Sequence, residues 1–538
     1  LAARSPSFTW LAAAAFICIV FVIRCAAPLI GARNDLTGAL QDDAFYYIIP
    51  AANLAHGLGS TFDGLSRTNG YHPLWLLICA GCSALGAPGI GAALGAGMVL
   101  DAIGLGLVFW LFRRQPAWFL LIAGGAYLYT TYAMAVLTGM ETDAFAASFL
   151  ALLAAIQVSS SRPVALLLGV CASVCILARL DAALFVIPLV VAGAATGRER
   201  AVAGTIVFVT LCVFAVVNMA WFGLALPVSG DVKSLGGLQI NYPLLHELAS
   251  RLERGGGLAG TAAHWVTEPF ILYAVMLVIS VTLFMTLRGR SHYVLAAFVV
   301  GLALYIAREV FLSSWRTWPW YFYPLFIGAM TILFVLASDR PWRTPEGRRW
   351  FAWAAMLPLA VLFVVEGYAG TGLRAWHALH GDGYGFAAGR FYRLNERAAT
   401  IMNGIAPGAR VAMGDRSGSF AYYYSGHVVQ LEGLMNDAAY YRLLKQGGDA
   451  KALLCARGVQ YVIAYAAEPG HADSVDVPVV RASLSDYPRY PVLHLLARDQ
   501  VMKFGDPDLY TGSMNGDNDD TIYAWRLSGC KAAAPPAP

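Results

Sequence analysis

Apolar runs of about twenty residues recur through the first two thirds of the chain, and this length leaves few folds open. Residues 8–30, 91–112, 118–137 and 201–222 each match the ~20 residues with which an α-helix crosses the ~30 Å hydrocarbon core of a bilayer. Helix is the expected form, because in lipid every backbone N–H and C=O must be paired within its own segment or a closed barrel, and period-two alternation is lacking. The 538 residues are 58% hydrophobic and 13% charged, against roughly 25% charged in a soluble domain. A net charge of +4 implies no nucleic-acid partner. The run 8–30 is too long for a signal peptide and is read as an uncleaved first span.

Arginines punctuate the runs at 113–114, 162, 198 and 200, 288 and 290, and 340–349, and the positive-inside rule puts those breaks in the cytoplasm. The alternation closes if residues 72–85 lie along the outer face as a short helix. The expected spans are then 8–30, 89–112, 117–137, 144–158, 164–178, 183–195, 201–222, 270–287, 293–307, 321–338 and 350–368. Eleven spans put the N-terminus inside and the C-terminus outside a bacterial cytoplasmic membrane. The predicted fold is a multispan all-α membrane domain over residues 1–368, with a first outward loop at 31–88, followed by an extracytoplasmic α/β domain over 369–538.

The second domain is predicted from alternating segments: helix 391–403, strand 410–413, helix 419–425, strand 428–431, helix 437–445, and helix 450–457 leading into strand 459–464. Gly414-Asp-Arg-Ser-Gly418 falls between a strand and a helix, where backbone N–H groups can take an anion. It is not G-x-G-x-x-G, which speaks against a nucleotide, and leaves Asp415 and Arg416 either to touch a glycan or to cap the helix. The Ala/Pro-rich tail 531–538 is expected to be disordered. Cys79 and Cys82 form a C-x-x-C in an apolar helix, more in keeping with buried hydrophobes than with redox or zinc chemistry. Cys455 and Cys530 share the outward domain, and the sequence leaves a disulfide between them open.

The chemistry is expected in residues 41–75, QDDAFYYIIPAANLAHGLGSTFDGLSRTNGYHPLW. Asp42 and Asp43 follow the first span directly, and two adjacent carboxylates oppose each other's ionisation, which suggests a site. One can act as general base towards a hydroxyl while the other orients it or binds a cation; a divalent cation is therefore an option, with no metal ligand set identified. Capping of a local helix by Asp42 is the structural alternative. Tyr46, Arg67, Asn69, Tyr71 and His72 make up a candidate substrate-binding surface.

The acidic pair, the aromatics, the segment Asn53-Leu-Ala-His-Gly57 and the His72-Pro-Leu-Trp75 segment together resemble the GT-C glycosyltransferases. Among that group the protein O-mannosyltransferases and lipid A aminoarabinose transferases are similar, and the D-D-A start most resembles bacterial arabinofuranosyltransferases. The resemblance covers 8–330 loosely and 41–75 well. It implies a sugar, arabinofuranose being one candidate, moved from a polyprenyl-phosphate donor to an extracytoplasmic glycan, lipid or protein, with retention or inversion, among membrane lipids. It also implies Asp42 as the base with Asp43 as its neighbour. Where the family often has H-P-P this chain has His72-Pro73-Leu74. The second outward loop carries G-M-E-T-D at 139–143, in the place where the family tends to have an acidic motif, and Glu141 is assigned to substrate binding.

Charge accumulates on the donor phosphate as the glycosidic bond breaks, so a cation is required. Lys233 and Arg316 are the favoured candidates and Arg308, beside Glu309, a third. Trp318 and its aromatic neighbours can stack on a sugar or form an interfacial belt. Arg179 and Asp181 are read equally as a helix-holding ion pair or a substrate contact. A transporter or lipid flippase is the competing class, supported mainly by Asp101 near the middle of a span.

Overall fold

The computed structural model describes residues 7–31, 36–159, 164–235, 237–254, 269–286, 289–315, 317–339, 357–380, 388–465, 468–469, 473–479, 491–505 and 521–530. Arg316, the basic stretch 340–349, the start of the expected last span and the tail 531–538 lie outside these residues.

The first part is helical: α1 (Phe8–Gly31), α2 (Phe45–Ala55), α3 (Pro73–Ala84), α4 (Gly89–Phe112), α5 (Ala117–Ala133), α6 (Thr142–Ser159), α7 (Ala165–Ala178), α8 (Ala183–Gly193) and α9 (Gly197–Phe222), then α10 (Val228–Lys233), α11 (Tyr242–Arg254), α12 (Pro269–Thr286), α13 (Arg290–Phe311) and α14 (Tyr323–Asp339). Among the described residues, six stretches are long and apolar enough to cross a membrane: Phe8–Ala27, Gly89–Phe112, Thr142–Ser159, Gly197–Phe222, Arg290–Phe311 and Pro319–Ser338. Four other expected spans coincide with α5, α7, α8 and α12, of 17, 14, 11 and 18 residues. The helix expected along the outer face is α3, at 12 residues about 18 Å long.

Helix α9 shows how lipid-facing and interior helices differ. Thr196 caps it by accepting from Glu199 N, and Gly223 at φ 72° ends it. Between these ends Phe208, Val213 and Val216 are more than half exposed, a surface suited to acyl chains. Helix α14 is the opposite: Tyr323, Leu325, Phe326, Ile327 and Met330 are fully buried, and Phe326 meets Phe145 and Phe149 of α6 edge-on. One polar exception is a lock in which Arg24 of α1 pairs with Asp101 of α4. Tyr127 of α5 donates to Asp101 Oδ1 at 2.5 Å, and Arg24 Nη1 donates to Thr131 at 2.6 Å. Asp101 is therefore paired within the bundle, as burial of a charge in apolar surroundings demands.

A helical segment begins at residue 357, passes through a π-turn at Val365–Gly370 and continues as α15 (Thr371–His380), so helix runs past the expected boundary at 368. Beyond it come α16 (Ala388–Ile405), α17 (Ser417–Tyr423), α18 (Ala438–Gln446) and α19 (Ala450–Ala456), and strands β1 (Arg410–Met413), β2 (His427–Gln430), β3 (Tyr461–Ala464), β4 (Glu468–Pro469), β5 (Ser474–Pro478), β6 (Val492–Leu496), β7 (Gln500–Gly505) and β8 (Thr521–Arg526). One sheet has the order β2-β1-β3-β8-β7, with β1 parallel to β2 and β3, and β8 antiparallel to β3 and β7. A second, antiparallel sheet has the order β4-β5-β6. Cys455 and Cys530 form a disulfide with Cα atoms 5.3 Å apart, tying α19 to the segment after β8. Cys79 and Cys82 are free thiols.

Candidate active site at the junction of the two domains

The loop between α1 and α4 is stitched to both domains, which fixes the acidic pair. On the membrane side, Gln41 N donates to Thr138 O at 3.1 Å and Trp75 Nε1 to Gly139 O at 2.9 Å, so the first outward loop carries the second with it. On the other side, Asp63 O faces His427 Nδ1 at 2.8 Å, and Phe45 packs on Tyr422 with ring centroids 5.2 Å apart. The contact is close enough to require glycine twice. A Cβ on Gly70 would fall 1.8 Å from Leu434 O, and one on Gly418 would fall 2.4 Å from Asp42 O.

Asp42 is consumed by this junction. Its Oδ2 accepts from Gly418 N at 2.9 Å, and its Oδ1 from Ser419 N at 2.8 Å and Ser419 Oγ at 2.5 Å. The anion-accepting turn read from G-D-R-S-G thus takes up the chain's own carboxylate. Burial raises the Asp42 pKa, opposed by the bonds from Ser419 and Gly418. Asp42→Ala removes all three bonds and is expected to cost about 1.5–3 kcal/mol of docking; faster proteolytic release of the C-terminal domain from the purified protein checks it.

The Asp43 carboxylate has no hydrogen-bond partner among the described residues, and the residue stays partly accessible. Burial raises its pKa to about 7; Lys233 lowers it, while Asp42, Asp415 and Glu141 add to the rise. Lys233 comes in on α10, where its Nζ donates to Tyr321 Oη at 2.5 Å. Burial disfavours the ammonium, but Tyr321 and Asp43 more than offset this and hold its pKa above the usual lysine value. The C-terminal domain also supports α10, since Gly433 lies against Val232.

Behind Asp43 is a buried ion-pair chain. Glu141, 1% exposed, accepts from Tyr47 at 2.8 Å and from Arg179 Nη1 at 2.7 Å. Arg179 Nε lies 3.1 Å from Asp181 Oδ1, Asp181 Oδ2 lies 3.8 Å from Arg308, and Arg308 pairs with Glu309. Arg179 thus joins the second loop to the α7–α8 turn, with its guanidinium 4.3 Å from the Tyr323 ring centre. His72 Nδ1 accepts from Leu180 N at 3.2 Å, which leaves the proton on Nε2, 3.7 Å from Glu141 Oε1. Burial lowers the His72 pKa, Glu141 opposing it and Arg179 adding to it, so the ring is neutral at pH 7.

The structure thus gathers Asp43, His72, Glu141 and Lys233, together with Arg179, Asp181, Arg308 and Tyr321. It does not bring the other candidates into this group. Tyr46 is buried under the C-terminal domain, 3.3 Å from Ser417 Oγ, and Arg67 is exposed. Asn69 is used up internally, donating to Asn218 Oδ1 and Leu226 O and accepting from Val228 N. Tyr71 is bonded to Ser60, and burial raises its pKa to about 12. Trp318 stacks on Trp320 at 5.7 Å, nearly parallel. Asp143 is fully buried and accepts from Leu137 N at 3.2 Å. Tyr321, one of the aromatic neighbours of Trp318 read as able to stack on a sugar, instead has its hydroxyl engaged by Lys233 Nζ. Among the described residues no group of three or more His, Cys, Asp or Glu side chains could hold a metal ion.

No family model matches the chain, and no curated protein does. Among solved structures it is similar to the crystal structure of ArnT from Cupriavidus metallidurans bound to undecaprenyl phosphate, with 13% identity over 97% of this chain and 98% of that one and a TM-score of 0.47. The apo state of the same protein gives 16% identity over 84% and 91%, with a TM-score of 0.45. A cryo-electron microscopy structure of a mutant of the arabinofuranosyltransferase AftD from mycobacteria gives 14% identity, covering 95% of this chain and 42% of that one, with a TM-score of 0.43.

Proposed function

We propose that this protein is a membrane glycosyltransferase that passes a sugar from a polyprenyl-phosphate donor to a hydroxyl of an extracytoplasmic glycan, lipid or protein, with Asp43 as general base. The observation that carries this is the Asp43 carboxylate itself: partly accessible, free of hydrogen bonds among the described residues, with its pKa raised by burial to about 7 and within the electrostatic reach of Lys233. A base with its pKa near the working pH is the most effective proton acceptor. The base role moves from Asp42 to Asp43 because three donors already occupy the Asp42 oxygens.

In the reaction, Asp43 takes the proton of the acceptor hydroxyl as its oxygen bonds to the anomeric carbon. The bond from that carbon to the donor phosphate oxygen breaks, and its electron pair leaves with the polyprenyl phosphate. Lys233 meets that charge, with Arg308 behind it and Arg316 as the further cation expected from the sequence. Glu141, Arg179 and His72 hold the floor of the site; Glu141 and Arg179 already pair with each other and His72 already accepts from Leu180 N, so they orient rather than react.

Arabinofuranose as the sugar rests on the D-D-A resemblance. The reading also places the C-terminal domain outside the cytoplasmic membrane, on the same face as the first loop. The test is transfer of labelled sugar from purified polyprenyl-phosphate donors to cell-envelope acceptors by the reconstituted protein. Transfer from at least one donor is expected; a protein that moves a solute across liposomes and transfers sugar from none of the donors would end the proposal.

A further inference from the structure

Helix α11 (Tyr242–Arg254) carries more apolar surface than the protein covers. At 3.6 residues per turn Leu244, Leu248, Leu245, Ala249 and Tyr242 follow one another around one side of it, and His246 and Ser250 fall on the other. The protein takes only one edge of the apolar side. Leu244 is buried and Leu248 half-buried, whereas Leu245, Ala249 and Tyr242 are exposed, Tyr242 by 63%. The segment leading into the helix continues the bare surface, with Leu238 82% exposed and Ile240 exposed as well. A contiguous apolar patch of this kind marks a contact with a membrane or another protein.

Its depth selects the membrane. Helix α13 has 22 residues and is about 33 Å long, enough to carry the chain from Arg290 across the ~30 Å hydrocarbon core. Its last residue, Phe311, therefore stands at the membrane surface. The start of α11 is pinned to that end. Gln239 N donates to Phe311 O at 3.0 Å, Asn241 N to Val310 O at 2.8 Å and Asn241 Nδ2 to Glu309 O at 2.9 Å. The fully buried Asn241 thus helps to satisfy carbonyls that the end of a helix leaves without intrahelical partners. Phe311 and Leu312 are exposed too, so the bare side of α11 is continuous with the lipid-facing surface of a span. At 13 residues, about 20 Å, α11 is too short to cross the bilayer itself.

We infer that α11 lies along the headgroup–acyl boundary of the leaflet on the Lys233 side, with Leu245, Ala249 and Tyr242 turned to the acyl chains. Helices with one apolar and one polar side bind lipid in this way, sinking a few ångströms below the headgroups. The placement also reaches the candidate site. Asn241 Nδ2 donates to Trp315 O at 3.0 Å, and Ser314 N and Oγ each donate to Lys233 O at 2.9 Å. Residues 313–315 are thus gripped by the start of α11 on one side and the end of α10 on the other, so an α11 seated in lipid also steadies the helix that carries Lys233. Sugar transfer plays no part in this placement, which stands on α13 as a span.

The test places the fluorophore NBD on single cysteines of the full chain, in nanodiscs of phosphatidylethanolamine and phosphatidylglycerol. The exposed native thiols Cys18 and Cys212 are replaced by alanine, and the labelled parent supplies the background to subtract. Leu245→Cys and Ala249→Cys put the label on the bare side and His246→Cys on the polar side, all at exposed positions. Labels at 245 and 249 are expected to emit at shorter wavelength than at 246. A nitroxide near the glycerol end of the lipid should quench them at least roughly twofold more than one at the acyl terminus, as a shallow interfacial position requires. Emission at 245 and 249 like that at 246, unquenched by either lipid, would show α11 in water and overturn the inference. Short-wavelength emission that neither nitroxide quenches would mean that a protein surface covers the helix, and stronger quenching from the acyl terminus that it lies in the core; either result also overturns it. None of these outcomes depends on whether the protein transfers sugar.

Discussion

Asp43→Asn is expected to lower sugar transfer by about 10²–10⁴-fold, the usual contribution of a general base, with the amount of protein in the membrane unchanged. Asparagine keeps the shape of the side chain and removes its ability to take a proton. The Asp43 carboxylate makes no hydrogen bond among the described residues that folding would miss, so the loss should fall on kcat and leave thermal unfolding as in wild type. Asp42→Asn is the contrasting variant: it disturbs an amide-lined cradle of 2.5–2.9 Å bonds and should loosen the C-terminal domain while keeping the base. Initial rates and unfolding temperatures of the two variants, measured side by side, separate the roles. Full activity in Asp43→Asn would remove it as the base.

Lys233→Met is expected to lower transfer by about 10²–10³-fold, the range for deleting one group that stabilises developing negative charge. It should also change the pH profile. Only the deprotonated Asp43 can accept a proton, so wild-type activity should rise as pH increases through about 7, where burial has placed its pKa. Lys233 holds that pKa down, so its removal must push the acidic limb to higher pH. A fall in rate with an unmoved limb would mean that Lys233 meets the phosphate without setting the charge state of Asp43. A rate and profile both like wild type would take Lys233 out of the site.

The parts of this site that were legible in the sequence are those whose residues are close in the chain or carry a charge where charge is expensive. Asp42-Asp43 stood out against a 58% hydrophobic background, and Glu141 did so at the mouth of a span. Lys233 could be proposed because a donor phosphate demands a cation. Arg179 was ambiguous, because two residues' separation from Asp181 says nothing of Glu141, 38 positions away, with which it makes its 2.7 Å bond. Asn69 and Tyr71 looked like ligand contacts for a related reason: a polar residue in a loop does not announce which backbone or side-chain partner will use it up.

The apolar helices, the α/β alternation of the C-terminal part and the acidic pair beside the first span could be read from local sequence, because hydrophobic periodicity and the cost of charge near lipid act through neighbouring residues. Which aspartate is available depends on long-range contacts. Asp42 and Asp43 are adjacent in sequence and chemically identical, and nothing local distinguishes them. The difference arises 376 residues further on, where Gly418 and Ser419 present their N–H groups to one carboxylate and leave the other to Lys233.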